Sequence, residues 1–196
     1  MKLVKHNNFI YEYQNFVDDE LCDSFIEMIE HEKEDVISNK KCSIKNKTRN
    51  NVAFNITELS KQYNLIKIVD MEASRIISKS ISKYVDDNIL VRRYSDFTRH
   101  SNFDMDLIYR FYDKDDYYDW HVDSTEKGHF VLSIIIYLND DFEGGSTIFL
   151  EDKVKVNPKK GSVLIFPCDY RTIHKGTKVK SGTKKIIWTC LNRKLC

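Results

Sequence analysis

The second half of the sequence, from about residue 90 onward, is a succession of short runs of β-branched and aromatic residues. This pattern restricts the fold more than any other feature. Turn-forming pairs such as Asn139-Asp140, Gly144-Gly145 and Asn157-Pro158 separate the runs. Many short strands at close spacing predict a β-sandwich or a barrel. The runs are residues 106–112, 117–122, 130–138, 146–150, 153–156, 162–166 and 184–191.

The first half of the sequence has a different pattern, which predicts helices. Apolar residues recur at helical spacing over residues 19–31 and again over residues 58–85, so each stretch is expected to present one apolar face to a core. Helices followed by strands indicate an α+β fold. The remaining predictions for this half are an edge strand at residues 9–13, a loop at residues 32–50 and a short strand at residues 51–55.

The length of the chain, 196 residues, suits one domain that covers residues 1–196. Within it, residues 1–89 are expected to be mainly helical support. Residues 90–196 are expected to form the β core and to carry the functional site, with the helices packed outside it.

Charge, hydropathy and cysteine content indicate the environment in which the protein works. The 31 basic and 30 acidic side chains leave a formal net charge of +1, which gives no general attraction to nucleic acid or to a membrane surface. No apolar run is long enough for a signal peptide or a membrane span. An odd number of cysteines without a C-x-x-C pair argues against a disulfide framework and favours a reducing compartment. We therefore expect a soluble, cytoplasmic protein.

The stretch Tyr117–Asp123, YYDWHVD, combines a predicted strand with two possible metal ligands. Side chains alternate along a strand, so His121 and Asp123 are expected to point to the same side. Imidazole and carboxylate bind zinc, iron and manganese, but a site needs further ligands. His129 and His174 also lie in the β half, and a jelly roll can bring His174 close to His121. Two histidines and one carboxylate would form the facial triad of non-haem Fe(II) oxygenases.

Four motifs between Tyr112 and Trp188 agree in order and spacing with one known family. The motifs are Tyr112…Tyr118-x-x-His121-x-Asp123, Tyr137-Leu138-Asn139…Gly144-Gly145-Ser146-Thr147, Val156-x-Pro158…Gly161-x-x-Leu164-x-Phe166 and His174…Val179…Gly182-Thr183-Lys184. This segment resembles the Fe(II)- and 2-oxoglutarate-dependent dioxygenases, in particular the prolyl 4-hydroxylase-like group. The resemblance implies a double-stranded β-helix, or jelly-roll, core with the N-terminal helices packed outside.

The resemblance also implies roles for individual residues. His121, Asp123 and His174 would bind Fe(II). Lys184 stands where the family places the basic residue that holds the distal carboxylate of 2-oxoglutarate. The usual residue there is Arg, and Lys offers a point charge rather than a bidentate fork.

Further side chains are candidates for the same pocket. Tyr112 and Tyr137 match positions whose hydroxyls bind a 2-oxoglutarate carboxylate in relatives, with plain packing as the alternative. Lys185 is the alternative to Lys184 for binding the distal carboxylate. The two lysines face opposite sides of a predicted strand, and the spacing in sequence from His174 favours Lys184. The remaining candidates are Thr147 and Thr172 as pocket lining, Trp120 and Trp188 as core or pocket wall, and His129 as a surface or indirect contact.

By resemblance, the reaction is hydroxylation of a C–H bond with release of succinate and CO2. The cofactors would be Fe(II), 2-oxoglutarate and O2, with ascorbate as an added reductant. The expected target is a prolyl residue in a peptide or protein, and the alternative is a free amino acid or another small molecule. Asp123 favours hydroxylation over halogenation, because related halogenases lack the metal carboxylate.

Two other classes remain as alternatives. A cupin-like zinc or manganese hydrolase or isomerase would use the same fold without 2-oxoglutarate and would not need Lys184, Tyr112 or Tyr137. A catalytically silent binding module would keep the fold and lose metal ligands, whereas all three are present here. Nucleic acid and membranes are not expected as partners, and the oligomeric state is left open.

Overall fold

The structure is a computed structural model that describes residues 1–39, 43–45, 48–94, 103–123 and 130–193. The helices are α1 (Asp19–Asn39), α2 (Ile56–Leu59), α3 (Asn64–Asp87) and α4 (Ile89–Tyr94). The strands are β1 (Lys2–Lys5), β2 (Tyr11–Gln14), β3 (Ser43–Lys45), β4 (Arg49–Asn55), β5 (Phe103–Asp104), β6 (Ile108–Tyr112), β7 (Tyr117–His121), β8 (Phe130–Tyr137), β9 (Glu143–Gly144), β10 (Thr147–Phe149), β11 (Lys155–Val156), β12 (Val163–Pro167), β13 (His174–Gly176), β14 (Val179–Ser181) and β15 (Lys184–Arg193). No described helix is long and apolar enough to cross a membrane.

The strands form one large antiparallel sheet that curls around a pocket. Its order is β1-β2-β12-β8-β15-β6-β4-β7-β13-β10-β11, and β9 pairs separately with β14. Strands β8 and β13 are well separated in this order, yet Ile135 of β8 and His174 of β13 line the same pocket. The sheet must therefore turn back on itself. This architecture confirms the predicted α+β fold with a jelly-roll core.

Successive side chains along the strands pack into two different hydrophobic cores. On β12, Val163 and Ile165 pack with residues of α1 and α3 in the larger core, between sheet and helices. Leu164 and Phe166 point the other way, into a smaller core inside the curled sheet. This period of two places the helices outside the β core and leaves the inner face for the pocket.

The helical half differs from the sequence-based expectation in several places, and strand β3 lies within the predicted loop at residues 32–50. Helix α1 continues to Asn39, although a loop was predicted from residue 32, because the polar residues that follow His31 favour helix without showing an apolar period. The predicted helix over residues 58–85 is two helices. The Asn55 side chain accepts a hydrogen bond from the Glu58 backbone and caps α2, and a turn precedes α3.

The predicted edge strand at residues 9–13 is also different. Strand β2 is paired on both sides, with β1 and with β12, so it is not at an edge. The covering strand β1 was missed because its four residues, KLVK, are too few to show a period.

Gly161 makes the tightest contact between the N-terminal segment and the β core. Its carbonyl accepts hydrogen bonds from the backbone N–H groups of Phe16 at 2.9 Å and Val17 at 3.0 Å. Gly161 has a φ of +71°, and an added Cβ would lie 2.2 Å from the Val17 carbonyl oxygen. Only glycine fits this turn without strain.

We expect Gly161→Ala to destabilise the fold by roughly 2 kcal/mol or more, since the substitution combines a left-handed backbone with a clash against backbone atoms. The measurement is the free energy of unfolding in urea. The matched control is Gly176→Ala, where the nearest atom to an added Cβ lies 3.8 Å away. Equal stability of the two variants would contradict this account of the turn.

Candidate active site

Pairing of β7 with β13 brings the two predicted histidine ligands together. His121 ends β7, His174 begins β13, and the two residues are direct partners in the antiparallel register. Their ring centroids lie 4.2 Å apart. Asp123 follows the end of β7, and the ligand atoms of His121, Asp123 and His174 all lie within 4.8 Å of one another.

Backbone carbonyls fix which nitrogen of each imidazole faces the third ligand. Nδ1 of His121 lies 2.7 Å from the Asp119 carbonyl oxygen, and Nδ1 of His174 lies 2.9 Å from the Thr172 carbonyl oxygen. A carbonyl only accepts, so Nδ1 carries the proton in both rings. The Nε2 atoms lie 3.3 Å and 3.6 Å from the Asp123 carboxylate oxygens, where a metal ion can replace any proton on Nε2 and bind all three groups.

Asp123 is held as a buried carboxylate. Its Oδ2 accepts a hydrogen bond from the Ser133 hydroxyl at 2.7 Å and a longer one from the Trp188 indole N–H at 3.4 Å. Burial alone would raise the pKa of Asp123, but the imidazoles of His174 and His121 and the Ser133 hydroxyl lower it well below its usual range. The carboxyl group is therefore ionised at neutral pH, as a metal ligand must be.

Aromatic packing fixes the rings of the two histidines. Tyr118 stacks on His121 with a centroid distance of 3.5 Å and an interplanar angle of 11°. His174 packs against Phe166 at 4.8 Å and Phe149 at 5.5 Å. Burial lowers the pKa of His174, which favours the neutral imidazole that metals require.

The chemistry of this group fits a divalent first-row metal. It offers two imidazole nitrogens and one ionised carboxylate, a set used for Fe(II), Zn²⁺ and Mn²⁺. A second group on the far side of Asp123, formed with Cys168 and Cys190, fits less well. The thiols lie 3.4 Å apart, and their hydrogen bond together with burial raises the pKa of Cys168 well above its usual range. Protonated thiols do not bind metal.

Lys184 places a buried cation in the same pocket. It is only 5% exposed, and its ammonium donates to the Gly145 carbonyl at 2.7 Å. The ammonium nitrogen lies 5.5 Å from the ring centroids of both Tyr112 and Tyr137. Burial lowers the pKa of Lys184 to about 7. Among the described residues no carboxylate forms an ion pair with Lys184, so the pocket can accept an anion there.

The competing lysine faces the other way. The ammonium of Lys185 lies 3.4 Å from a carboxylate oxygen of Glu30 on α1, outside the pocket. Alternation along β15 thus separates Lys184 from Lys185, as expected for a strand.

The two predicted tyrosines differ in their surroundings. The Tyr137 hydroxyl lies 2.9 Å from the Thr147 hydroxyl, and Thr147 lines the pocket. Tyr112 lines the pocket directly and pairs with Lys184 in the sheet register. Burial raises the pKa of both phenols, so both hydroxyls keep their protons and can donate.

The other candidates from the sequence fall in different environments. Trp188 lines the pocket, whereas Trp120 is 39% exposed and packs under the Lys175 ammonium, so the expectation of a core or pocket-wall position for Trp120 was wrong. Thr172 does not line the pocket but supplies the carbonyl that orients His174. His129 lies outside the described residues.

Sequence reasoning missed two polar residues of the inner face, Ser133 and Arg110. The structure shows Ser133 bound to Asp123 and Arg110 lining the pocket. Alternation could have found both, because Ser133 is four residues before Tyr137 and Arg110 is two residues before Tyr112.

Comparison with known sequences points to one superfamily. Residues 107–191 match the family described as the 2OG-Fe(II) oxygenase superfamily. The rat protein named 2-oxoglutarate and iron-dependent oxygenase domain-containing protein 3 is 34% identical over 84 residues, which cover 39% of this chain and 27% of that protein. This chain therefore matches about a quarter of the length of that relative.

Comparison with solved structures shows the same fold over nearly the whole chain. A viral collagen prolyl hydroxylase from Paramecium bursaria Chlorella virus-1 has a TM-score of 0.67 at 22% identity, covering 95% of this chain and 97% of the other. A prolyl hydroxylase from Trichoplax adhaerens, in complex with a peptide fragment, has a TM-score of 0.68 at 16% identity, covering 95% and 84%. The match of residues 107–191 to the 2OG-Fe(II) oxygenase superfamily agrees with the motif order and with the fold shared with these structures.

Proposed function

We propose that this chain is a Fe(II)- and 2-oxoglutarate-dependent dioxygenase that hydroxylates a C–H bond of its substrate. One observation carries this proposal. A group suited to a divalent metal and a buried cation without a carboxylate partner among the described residues line one pocket. A zinc hydrolase on the same fold has no need for such a cation, whereas a dicarboxylate co-substrate has a direct use for it.

His121, Asp123 and His174 would hold the metal. Bound Fe(II), with 2-oxoglutarate and O2, supplies the oxidation that converts C–H to C–OH and releases succinate and CO2. The part played by the protein is orientation. The Nδ1 bonds of the histidines and the Ser133 bond to Asp123 fix the ligand atoms before the metal binds.

Lys184 would bind the carboxylate of 2-oxoglutarate that does not face the metal. Its ammonium has one backbone acceptor, so it can still donate to a carboxylate. The rings of Tyr112 and Tyr137 each lie 5.5 Å from the ammonium nitrogen, and their protonated hydroxyls can add hydrogen bonds. In a buried site these charge-assisted bonds are stronger than in water, which favours a specific dicarboxylate.

The pocket has apolar as well as polar walls. Ile135, Ile186 and Trp188 line it together with the metal group and Lys184. A low-water site strengthens the ion pair at Lys184 and limits side reactions of an oxidising centre.

We further propose a prolyl residue in a peptide or protein as the target. Support comes from the fold shared with prolyl hydroxylases, one of them with a bound peptide. A groove of about 680 Å³ adjoins the pocket through Thr177 and is bordered by Phe142, Pro158 and Lys178. A groove of this size suits several residues of an extended chain better than a single amino acid.

His121→Ala should lower Mn²⁺ affinity by at least about 100-fold, because even residues that only support a metal ligand contribute 10- to 100-fold. Succinate formation from 2-oxoglutarate with Fe(II) and ascorbate under air should fall to background. Calorimetry and a succinate assay measure the two effects. The control is His31→Ala, on the exposed face of α1. Unchanged metal affinity in His121→Ala would overturn the assignment of the site.

Lys184→Met should weaken 2-oxoglutarate binding to the Mn²⁺-loaded protein by roughly 100-fold or more, since it removes one partner of a buried ion pair. Mn²⁺ affinity should not change, because Lys184 contacts none of the three metal ligands. The matched control is Lys185→Met on the opposite face of β15. Equal losses in both variants would point to an effect on the strand rather than on the co-substrate.

The affinity for 2-oxoglutarate should fall as pH rises above about 7, the pKa of Lys184 in the free protein. Only the protonated ammonium pairs with a carboxylate, so each pH unit above the pKa costs up to about tenfold in affinity. Lys184→Arg should remove this dependence, since a guanidinium stays charged. Calorimetry at pH 6.5 to 9 with saturating Mn²⁺ gives the profile. A wild-type profile as flat as that of the arginine variant would count against the role of Lys184.

A further inference from the structure

Arg110 is a second buried cation in the pocket, and the proposed metal and co-substrate sites assign it no anion. It is 7% exposed and lines the same pocket as the metal group. Its Nε atom is buried without a hydrogen-bond partner. Within the described ranges no carboxylate forms an ion pair with Arg110. Because a buried charge without a counter-ion is unfavourable, an anion from outside the chain would stabilise this guanidinium.

Two aromatic rings hold the Arg110 side chain. The central guanidinium carbon lies 4.2 Å from the ring centroid of Trp188 and 5.7 Å from that of Tyr118. Stacking on ring faces fixes the plane of the guanidinium. The Arg110 side chain hydrogen-bonds the Tyr112 hydroxyl, and its Nε–H has no partner in the described part of the chain. This arrangement is preorganised for an oxygen anion, which the planar fork can bind through two parallel hydrogen bonds.

The position of Arg110 separates it from the Lys184 end of the pocket. Arg110 pairs with Ile186 in the sheet register, whereas Lys184 pairs with Tyr112. From Ile186, the guanidinium reaches further from Lys184, onto Trp188, whose indole N–H is directed at Asp123. Arg110 is therefore on the Asp123 side of the pocket.

The charges of the loaded pocket leave one cation unmatched. Positive charge comes from the divalent metal, Lys184 and Arg110. Negative charge comes from Asp123 and the two carboxylates of 2-oxoglutarate. One positive charge remains. Arg110 hydrogen-bonds the Tyr112 hydroxyl but has no carboxylate partner among the described residues, so it is the cation without an assigned anion.

We propose that Arg110 binds a carboxylate of the substrate and so selects substrates with an acid group a few bonds from the target carbon. The acid can be a terminal α-carboxylate or the side chain of an acidic residue next to the target. This inference rests on the proposed function and specifies its substrate class. Arg110 acts as a specificity-determining residue, in direct contact with substrate.

The experiment uses two pairs of probes that differ by one negative charge. N-acetyl-L-proline is compared with N-acetyl-L-prolinamide, and the peptide acetyl-Gly-Pro-Asp-amide is compared with acetyl-Gly-Pro-Asn-amide. Each probe is titrated by calorimetry into the full chain loaded with Mn²⁺ and 2-oxoglutarate. The first pair tests a terminal carboxylate and the second tests a side-chain carboxylate.

The wild type should bind at least one acid about tenfold or more tightly than its amide, the scale of a charge-assisted hydrogen bond. Arg110→Gln should abolish this preference by weakening the acid and leaving the amide unchanged. Arg110→Lys, which keeps the charge without the fork, should retain part of the preference. The control is Arg75→Gln, which removes an exposed arginine on α3 and should behave as wild type.

Three results would overturn the inference. The first is that wild-type protein loaded with Mn²⁺ and 2-oxoglutarate binds neither acid more tightly than the matching amide. Alternatively, the acid preference persists in Arg110→Gln. Finally, both Arg110 variants lose Mn²⁺ or 2-oxoglutarate binding, which assigns Arg110 to positioning Asp123 or the co-substrate. Failure of the wild type itself to bind 2-oxoglutarate is a separate outcome, since it contradicts the proposed function.

Discussion

The antiparallel pairing of β7 with β13 is the contact on which the rest of the site depends. It makes His121 and His174, more than fifty positions apart in sequence, direct neighbours across two strands. Both strands are short, so their placement relies on the larger sheet. β4 pairs with β7 on one side, and β10 pairs with β13 on the other. The curl of the sheet then brings the inner faces of β8 and β15 against this pair. Trp188 and Lys184 line the pocket, and Ser133 donates to Asp123.

Burial has a different consequence for each ionisable group around the pocket. It favours the neutral form of His174 and the protonated phenols of Tyr112 and Tyr137, and it makes the ammonium of Lys184 easier to deprotonate. Asp123 remains ionised, because two imidazoles and a hydroxyl offset the effect of burial. The pocket therefore combines one carboxylate for a metal with the buried cations Lys184 and Arg110 for anionic ligands.

The sequence predicted the β half well and the helical half less well, for physical reasons. Alternation and turn residues located β6, β7, β8, β12 and β15, and ordered motifs selected the three candidate metal ligands and Lys184. Strands of two to four residues, such as β1 and β9, carry too few side chains to show a period. Alternation places Ser133 and Arg110 on the inner face, but their partners depend on which strands become neighbours after the sheet curls. The prediction that Trp120 lies in the core or pocket wall was wrong, because the surrounding sheet decides which side of a strand faces solvent.

Main-chain carbonyl oxygens, rather than side chains, orient both imidazole rings. The acceptors for Nδ1 are the carbonyls of Asp119 and Thr172, each two residues before the histidine it orients. A different side chain at position 119 leaves the carbonyl in place. The residue type there can therefore change during evolution without altering the orientation of His121. A genetic screen for lost activity would return the histidines themselves and pass over the atoms that point them. Only a change in the path of the backbone, such as an insertion between residues 119 and 121 or between residues 172 and 174, would remove these hydrogen bonds.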